Sequence, residues 1–340
     1  MKKSSGSEKN KGRIRVAHYG LGCIGTRAAG IALGNEHLEV VGAVDISAEK
    51  AGKDLGELVG AEKPLGIVVS NKVQEVFAQR PDVVVHSTGS RLSEVAPQIE
   101  EIVSRRINVV SSTEELLFPV GKNKQVIEKL DALAKDNDVS VLGTGVNPGF
   151  VLDSLPAFLS GVCSNVKSVL ARRIVDASTR REPLQRKIGA GLSADEFRRR
   201  VEQGRLGHVG LVESVALLAD CLGWELDNLL ERIDPVIADG NIKTQYVEVR
   251  EGQVAGIRHT AKGFRKGERV ISVELQMYVG APEPHDYIRI DADPPMEVTV
   301  ENGTAGDAAT AAILINAIPK VVSARAGYLT MKDVGLISAL

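Results

Sequence analysis

The stretch Gly20-Leu21-Gly22-Cys23-Ile24-Gly25 constrains this chain more than any other. It follows the apolar run Ile14–Tyr19 and opens a helical segment, and Asp45 stands 20 positions beyond Gly25 at the close of a second apolar run. A strand, a glycine turn, a helix and an acid at that distance form the fingerprint of a dinucleotide-binding βαβ unit. Gly20 permits the tight turn, Gly22 lets a pyrophosphate approach the backbone, and Gly25 lets helix and strand pack closely. The helix N-terminus offers free N–H groups and a positive dipole end to the phosphates. Cys23 and Ile24 belong to the same cofactor-binding loop, with Cys23 read as a small packing residue. Asp45 is placed to accept hydrogen bonds from an adenosine ribose; the alternative is a helix cap or a solvated turn residue. Lys50 is near enough in sequence to attract a 2′-phosphate, so both NAD and NADP stay open.

The rest of the first half fits that unit. Apolar β-branched runs at Arg13–Tyr19, Glu39–Asp45, Gly66–Ser70, Asp82–Ser87, Asn108–Ser111 and Ser140–Gly143 read as strands covered on both faces. Helical patterns lie between them near Ile24–Leu33, Val73–Gln79, Ser93–Ser104 and Lys124–Lys135. Such alternation predicts a parallel sheet wrapped by helices. The pattern changes at Asn147-Pro148-Gly149. A helix is predicted over Val151–Ser160, then alternating strands at Val166–Val175, Lys243–Arg250, Gln253–Lys262, Arg269–Val279 and Met296–Glu301, with hairpin turns at Glu251-Gly252 and Lys266-Gly267-Glu268. Helices near Ala194–Gln203 and Val209–Cys221 fall between the first two of those strands, and Gly306–Ser323 reads as one closing helix. The expected fold class is α/β: an N-terminal Rossmann-type doubly wound parallel sheet, residues 13–147, and a catalytic and dimerisation α+β domain on an open mixed sheet, residues 148–303. Residues 304–340 are expected to return to the first domain.

Composition narrows the class. A chain of 340 residues with 43% hydrophobic and 25% charged residues is globular and long enough for two domains. A net charge of -2 gives no footprint for nucleic acid and no polybasic membrane anchor, and no apolar run reaches the length of a membrane span. The three cysteines, Cys23, Cys163 and Cys221, are too widely spaced for a zinc site or a disulfide framework. Residues 1–12 are charged, without an apolar core, and read as a disordered tail rather than a secretory signal. A cytoplasmic protein without a metal is expected.

Two further segments carry chemistry. The loop Ser87-Thr88-Gly89-Ser90 follows the fourth strand, where it can face a nicotinamide or serve as an ordinary strand-to-helix turn. Glu114 and Glu115 follow the fifth strand, and Ser112 and Glu115 are spaced as a capping box. That spacing turns Glu115 back to the backbone and leaves Glu114 for acid–base work.

Glu114-Glu115-Leu116, Gly143-Thr144-Gly145-Val146-Asn147-Pro148-Gly149-Phe150, Gly207-His208-Val209-Gly210 and Arg258-His259-Thr260-Ala261 together resemble the 2,4-diaminopentanoate dehydrogenases and native amine dehydrogenases, whose fold is similar to dihydrodipicolinate reductase. The resemblance runs from about Arg13 to the C-terminus. It implies NAD(P)-dependent oxidative deamination of an amine, or reductive amination of a ketone or aldehyde with ammonia. It implies Glu114 as the catalytic carboxylate and Asn147, Phe150, Arg173, His208, His259 and Thr304 as substrate-binding positions. Where a polar amide is expected two residues after Arg173, this chain has Val175, which points to a more apolar amine or ketone.

Each of these residues also has a structural alternative. His208 and Thr304 can cap the helices that follow them, His259 can be a core imidazole, and Arg173 can pair with Asp176. At the level of function, an NAD(P)H-dependent imine or dihydrodipicolinate-like reductase and a non-catalytic dinucleotide sensor are the alternatives. An acylating semialdehyde dehydrogenase would need a cysteine nucleophile, and Cys163 has no histidine near it in sequence. The long strands of the second domain's open sheet need a partner for one apolar face, which predicts a homodimer or larger assembly.

Overall fold

The computed structural model describes residues 12–340, so the expected disordered tail lies, but for Gly12, outside the described residues. The chain runs β1 (Ile14–Tyr19), α1 (Cys23–Leu33), β2 (Leu38–Val44), α2 (Leu55–Val59), β3 (Val69–Ser70), α3 (Val73–Phe77), β4 (Val83–His86), α4 (Leu92–Ser104), β5 (Asn108–Ser111), a 3₁₀ turn at Glu114–Leu116, α5 (Asn123–Asp136) and β6 (Ser140–Gly143). These six strands are joined by β15 (Gly327–Leu329) in a seven-stranded sheet of order β15-β6-β5-β4-β1-β2-β3, with every pairing parallel. All four residues of β4 and of β6 are buried, as expected of central strands sandwiched by helices. On α4 the buried residues Leu92, Val95, Ala96, Ile99, Ile102 and Val103 repeat at helical spacing and form the face laid on the sheet.

The chain then passes through α6 (Ser154–Ser160), β7 (Ser164–Asp176), α7 (Glu182–Lys187), α8 (Ala194–Glu202), α9 (Leu211–Cys221) and β8 (Asn228–Ile237). It continues through β9 (Ile242–Lys243), β10 (Glu248–Val249), β11 (Val254–Arg265), β12 (Glu268–Tyr278), β13 (His285–Asp293), β14 (Met296–Glu301), α10 (Gly306–Asn316) and α11 (Ile318–Val322) before β15. The second sheet has six strands in the order β14-β13-β7-β12-β11-β8, antiparallel except where β7 runs parallel to β12. One face packs on α9 and the turn before α6, through Val151, Leu211, Val215 and Leu218 against Ala171, Ile271, Val273 and Ile288. Helix α10 lies against α1, where Ala28, Ala32 and Ala311 keep the two backbones close.

Several sequence-based boundaries move, each for a local reason. The strand expected over Gly66–Ser70 shrinks to Val69–Ser70, because the Asp54 carboxylate accepts the N–H groups of Leu65 and Gly66 and folds that segment around α2. The strand expected over Lys243–Arg250 is interrupted by a turn. There the Thr244 hydroxyl accepts from Tyr246 and Val247, leaving the two-residue pair β9–β10. Glu251-Gly252 is therefore a turn between unpaired strands, whereas Lys266-Gly267 joins β11 to β12 as a hairpin with both residues at positive φ. Strands β8 and β13 are not among those expected from the sequence; the apolar residues of β8 stand largely in adjacent pairs, Leu229-Leu230 and Val236-Ile237, rather than in alternation. β8 tolerates Pro235 because it is an edge strand. The closing helix is two helices, since Pro319 at the start of α11 has no N–H to continue α10. Asp153 caps α6 through Ser154, so that helix begins three residues later than expected.

The uncovered face of the second sheet is not apolar, which corrects the reason given for a dimer. Arg232, Thr260, Glu274, Arg172, Tyr287 and Thr299 form one in-register row across all six strands. Glu274 is salt-bridged to Arg258 at 2.7 Å and to Arg172 at 3.1 Å.

Candidate active site

The loops after β1, β4, β5 and β6 all leave the same edge of the first sheet. The order of strands places β1, β4, β5 and β6 side by side, so four loops from distant parts of the sequence meet there. This is the carboxyl edge at which doubly wound sheets bind ligands. They line a cleft of about 380 Å³ whose far wall comes from β7, α7, the loop before α9 and the start of α10.

The glycine loop is built as its sequence requires. Gly20 has φ +92°, and a Cβ there would meet the Ser87 carbonyl oxygen at 2.6 Å. A Cβ at Gly25 would run into the Gly20 carbonyl, so helix and turn touch backbone to backbone. A Cβ at Gly22 would meet nothing within 4 Å; it points into the cleft. No side chain caps α1, and its first N–H groups stay available to a phosphate. Ser87 Oγ donates to the Gly20 carbonyl at 2.8 Å and ties the second loop to the first. This cradle fits a dinucleotide pyrophosphate.

Gly22, Cys23, Ile24, Ser87, Thr88 and Gly89 line the cleft; Gly20 and Gly25 form the turn behind it. Cys23 is exposed rather than packed, with its thiol facing Asp307 Oδ2 at 3.4 Å. Asp45 is buried beside the loop, accepting from Leu21 N–H and Ser47 N–H at 2.8 and 2.9 Å and from Lys50 Nζ at 3.1 Å. Burial by itself would push the carboxyl up, but those three donors outweigh it and hold it below the usual range.

Glu114 faces the cleft from the 3₁₀ turn. Burial pushes its carboxyl up, while its own N–H, a hydrogen bond from Ser90 and the charge of Lys187 pull it back in part. The capping box expected between Ser112 and Glu115 does not form. The turn is too short, and Glu115 Oε2 instead accepts the Leu92 N–H at 2.7 Å, capping α4. Glu115 is still taken up by a helix end, and Glu114 is still the free carboxylate.

Asn147, Arg173 and His208 also reach the cleft. His208 does not cap α9. Its Nε2–H donates to the Asn147 carbonyl at 2.8 Å, and burial lowers its pKa to about 4, which keeps it neutral. Arg173 pairs with Asp286 at 3.6 Å and donates to the Thr304 carbonyl; Asp176 is instead bonded to Ser178. Two buried atoms in this group have no partner among the described residues: Arg173 Nη1 and Asn147 Oδ1. Phe150 and Thr304 lie elsewhere, on an apolar cavity of about 740 Å³ between α6, α10 and the C-terminal segment. His259 is buried on β11, where it bonds Glu231 at 2.9 Å and receives the His208 N–H at 3.4 Å. Ser90, the last residue of the polar loop read after the fourth strand, lines the cleft as well, whereas sequence reasoning missed Arg180, Arg181, Leu184, Lys187, Met277 and Thr310. These six come from α7, its approach, the second sheet and α10, and only the fold brings them opposite the glycine loop. Among the described residues no group of three His, Cys, Asp or Glu side chains could hold a metal, and no helix is long and apolar enough to cross a membrane.

A glycine cradle at the switch point of a parallel sheet, beside a desolvated carboxylate at the same sheet edge and faced by a second domain, defines a nicotinamide-dependent oxidoreductase. The chain belongs to the 2,4-diaminopentanoate dehydrogenase family: the model of that family's C-terminal domain matches residues 150–340, and residues 14–143 match the N-terminal domain of dihydrodipicolinate reductase. It is 32% identical to the 2,4-diaminopentanoate dehydrogenase of Acetoanaerobium sticklandii over 96% of this chain and 95% of that one. It is 26% identical to an amine dehydrogenase of Streptomyces virginiae over 96% of this chain and 98% of that one. The solved amine dehydrogenase of Mycobacterium smegmatis superposes with a TM-score of 0.85 at 23% identity, covering 96% of this chain and 97% of the other, and shares the fold.

Proposed function

We propose that the protein is an NAD(P)-dependent amine dehydrogenase, interconverting an amine with a ketone or aldehyde and ammonia, with Glu114 as its proton-transferring group. The observation that carries this is the placement of Glu114: a carboxylate raised by burial, free of structural partners other than Ser90, in the same cleft as the open face of Gly22. A carboxyl raised by burial is a stronger base than an exposed one and can return the proton it takes. When bound, the nicotinamide supplies or accepts hydride. The chain's own residues do the rest. Glu114 takes a proton from the incoming ammonium nitrogen, gives it to the carbinolamine hydroxyl that leaves as water, and, a carboxylate again, stabilises the iminium charge that remains. Asn147 Oδ1 accepts from an amine N–H, and Arg173 Nη1 donates to a carbonyl oxygen; each is a buried polar atom that lacks a partner among the described residues. His208 holds Asn147 in place from behind through its carbonyl. Val146, Val175, Leu184 and Met277 give the cleft an apolar side, which suits a substrate with an aliphatic chain.

We assign Asp45 to the adenosine ribose, where its charge would favour NAD, and Lys50, 3.1 Å from it, to moderating that preference. Phe150, His259 and Thr304 act at one remove, as supports of the cleft walls. A homodimer through the open face of the second sheet would pair charged rows, and its association should weaken in high salt. Light scattering at low and high salt checks this, and a monomer at both would remove it.

The deciding experiment follows NADH and NADPH consumption with small aliphatic ketones and aldehydes in the presence and absence of ammonium. Ammonium-dependent oxidation of either cofactor is expected. Reduction that proceeds equally well without ammonium would make the protein a carbonyl reductase instead.

A further inference from the structure

Ser90, Lys187 and His208 line the active-site cleft and also a second cavity, of about 550 Å³, on the other side of Glu114 and Gly210. The mouth of this cavity carries exposed side chains of both signs, Arg91, Glu94, Arg205 and Glu231 among them. Its inner end is different. Glu213, in the first turn of α9, is only 7% exposed and lines the cavity. Apart from its own backbone N–H, its carboxylate has no hydrogen-bond partner among the described residues. Glu115 stands beside it, already committed to the end of α4. The groups that face Glu213 are Glu114 and Glu115 from the 3₁₀ turn and Glu231 from β8. His208, His259 and Lys187 are the other ionisable groups of the lining inside the mouth, and neither they nor Arg205 bond it.

A buried carboxylate without a cation is among the most costly arrangements a protein can hold. Burial, with the charges of Glu115, Glu231 and Glu114, accordingly pushes the Glu213 carboxyl up to about 7. A small cation that can also donate hydrogen bonds would relieve this cost, and ammonium does both. Resting on the amine dehydrogenase reading, we propose that this cavity is the route by which ammonium reaches the active site, separate from that of the carbonyl substrate, and that Glu213 binds it on the way. The wall shared through Ser90, whose hydroxyl bonds Glu114, is then the point of transfer between the two cavities.

The test compares wild type, Glu213→Gln and Glu213→Asp in reductive amination and, separately, in thermal melts with ammonium, sodium or tetramethylammonium chloride at equal ionic strength. Loss of one charge-assisted contact should raise the KM for ammonium about ten- to a hundredfold in Glu213→Gln, with the carbonyl KM moving far less. Glu213→Asp should fall between the two. Ammonium should stabilise wild type beyond sodium or tetramethylammonium, and Glu213→Gln should lose that increment. An ammonium KM that does not move in an active Glu213→Gln enzyme overturns the inference and leaves the activity intact. If no carbonyl is aminated at all, the functional reading fails by itself. The melts then decide the site: ammonium-specific stabilisation lost in Glu213→Gln supports it, and no such stabilisation in wild type overturns it.

Discussion

Glu114 and Glu115 are adjacent, chemically identical and committed to different tasks. Glu114→Gln keeps the side chain's shape and removes its proton-transfer capacity, so kcat for reductive amination should fall by about 10²–10⁴-fold, with cofactor affinity little changed. Glu115→Gln should retain turnover and lower stability by about 1 kcal/mol, the scale of a weakened helix cap, because its carboxylate holds the Leu92 N–H at 2.7 Å. Steady-state kinetics beside thermal melts of both variants separate the two, and an inactive Glu115→Gln with an active Glu114→Gln would reverse the assignment. The glycines divide in the same way. Gly25→Ala forces a methyl group into the Gly20 carbonyl and should destabilise the fold by about 1–3 kcal/mol. Gly22→Val has open space around its Cβ, so melts should be unaffected while titration shows cofactor binding weakened by about tenfold or more, the backbone approach being blocked. A Gly22→Val protein that binds both nicotinamide cofactors normally would place the pyrophosphate elsewhere.

At the scale of elements, the turn between β6 and α6 depends on one buried side chain. The Asp153 carboxylate accepts from Gly149 N–H at 2.9 Å, from the Ser154 N–H and from the Ser214 hydroxyl at 2.6 Å, joining the turn that carries Asn147 to α9. Asp153→Asn turns one acceptor atom into a donor facing donors. It should cost about 1–3 kcal/mol and raise the KM for the carbonyl substrate, because Asn147 loses its anchor; a wild-type melting temperature would refute the link. Asp153 could be read from sequence only as a helix cap, since Ser214 lies far from it in the chain. The same limit runs through the rest of the molecule. Elements whose chemistry is local were legible: the glycine turn, the buried strands β4 to β6, and the Lys266-Gly267 hairpin. The 3₁₀ turn, β8 and the break between α10 and α11 were not, because a distant partner, an edge position or one proline decides them. In the cleft, the side contributed by the first sheet could be read from motifs. The opposite side, with Arg180, Leu184, Lys187 and Met277, exists only once β7 and α7 fold back over the glycine loop.

The whole molecule should respond to pH through groups that lie apart in the fold. His18 and His86 are fully buried, as burial lowers both to about 4, and neither ring nitrogen of His18 has a partner among the described residues. His208 is lowered to a similar value. An unfolded histidine titrates near about 6.5, so the stability these neutral rings confer is complete above that pH and is lost as the pH falls through about 4. Melting temperatures should decline over that window, and less steeply in His18→Leu. An equal slope in both proteins would exclude His18 as a source. Glu213 works in the opposite sense: the stability associated with its protonated form is present at low pH and lost as the pH rises through about 7. The gain in melting temperature of Glu213→Gln over wild type should therefore grow across that rise. The strand order of the first sheet bears on how such a chain is made. β15 pairs with β6 at the sheet's edge, yet the whole second sheet is encoded between them. During synthesis the cofactor-binding half thus cannot close its sheet until nearly everything else has left the ribosome. Until then β6 presents a bare edge to its surroundings, which makes the nascent chain a client for chaperones and a polypeptide stopped short of Gly327 prone to aggregate.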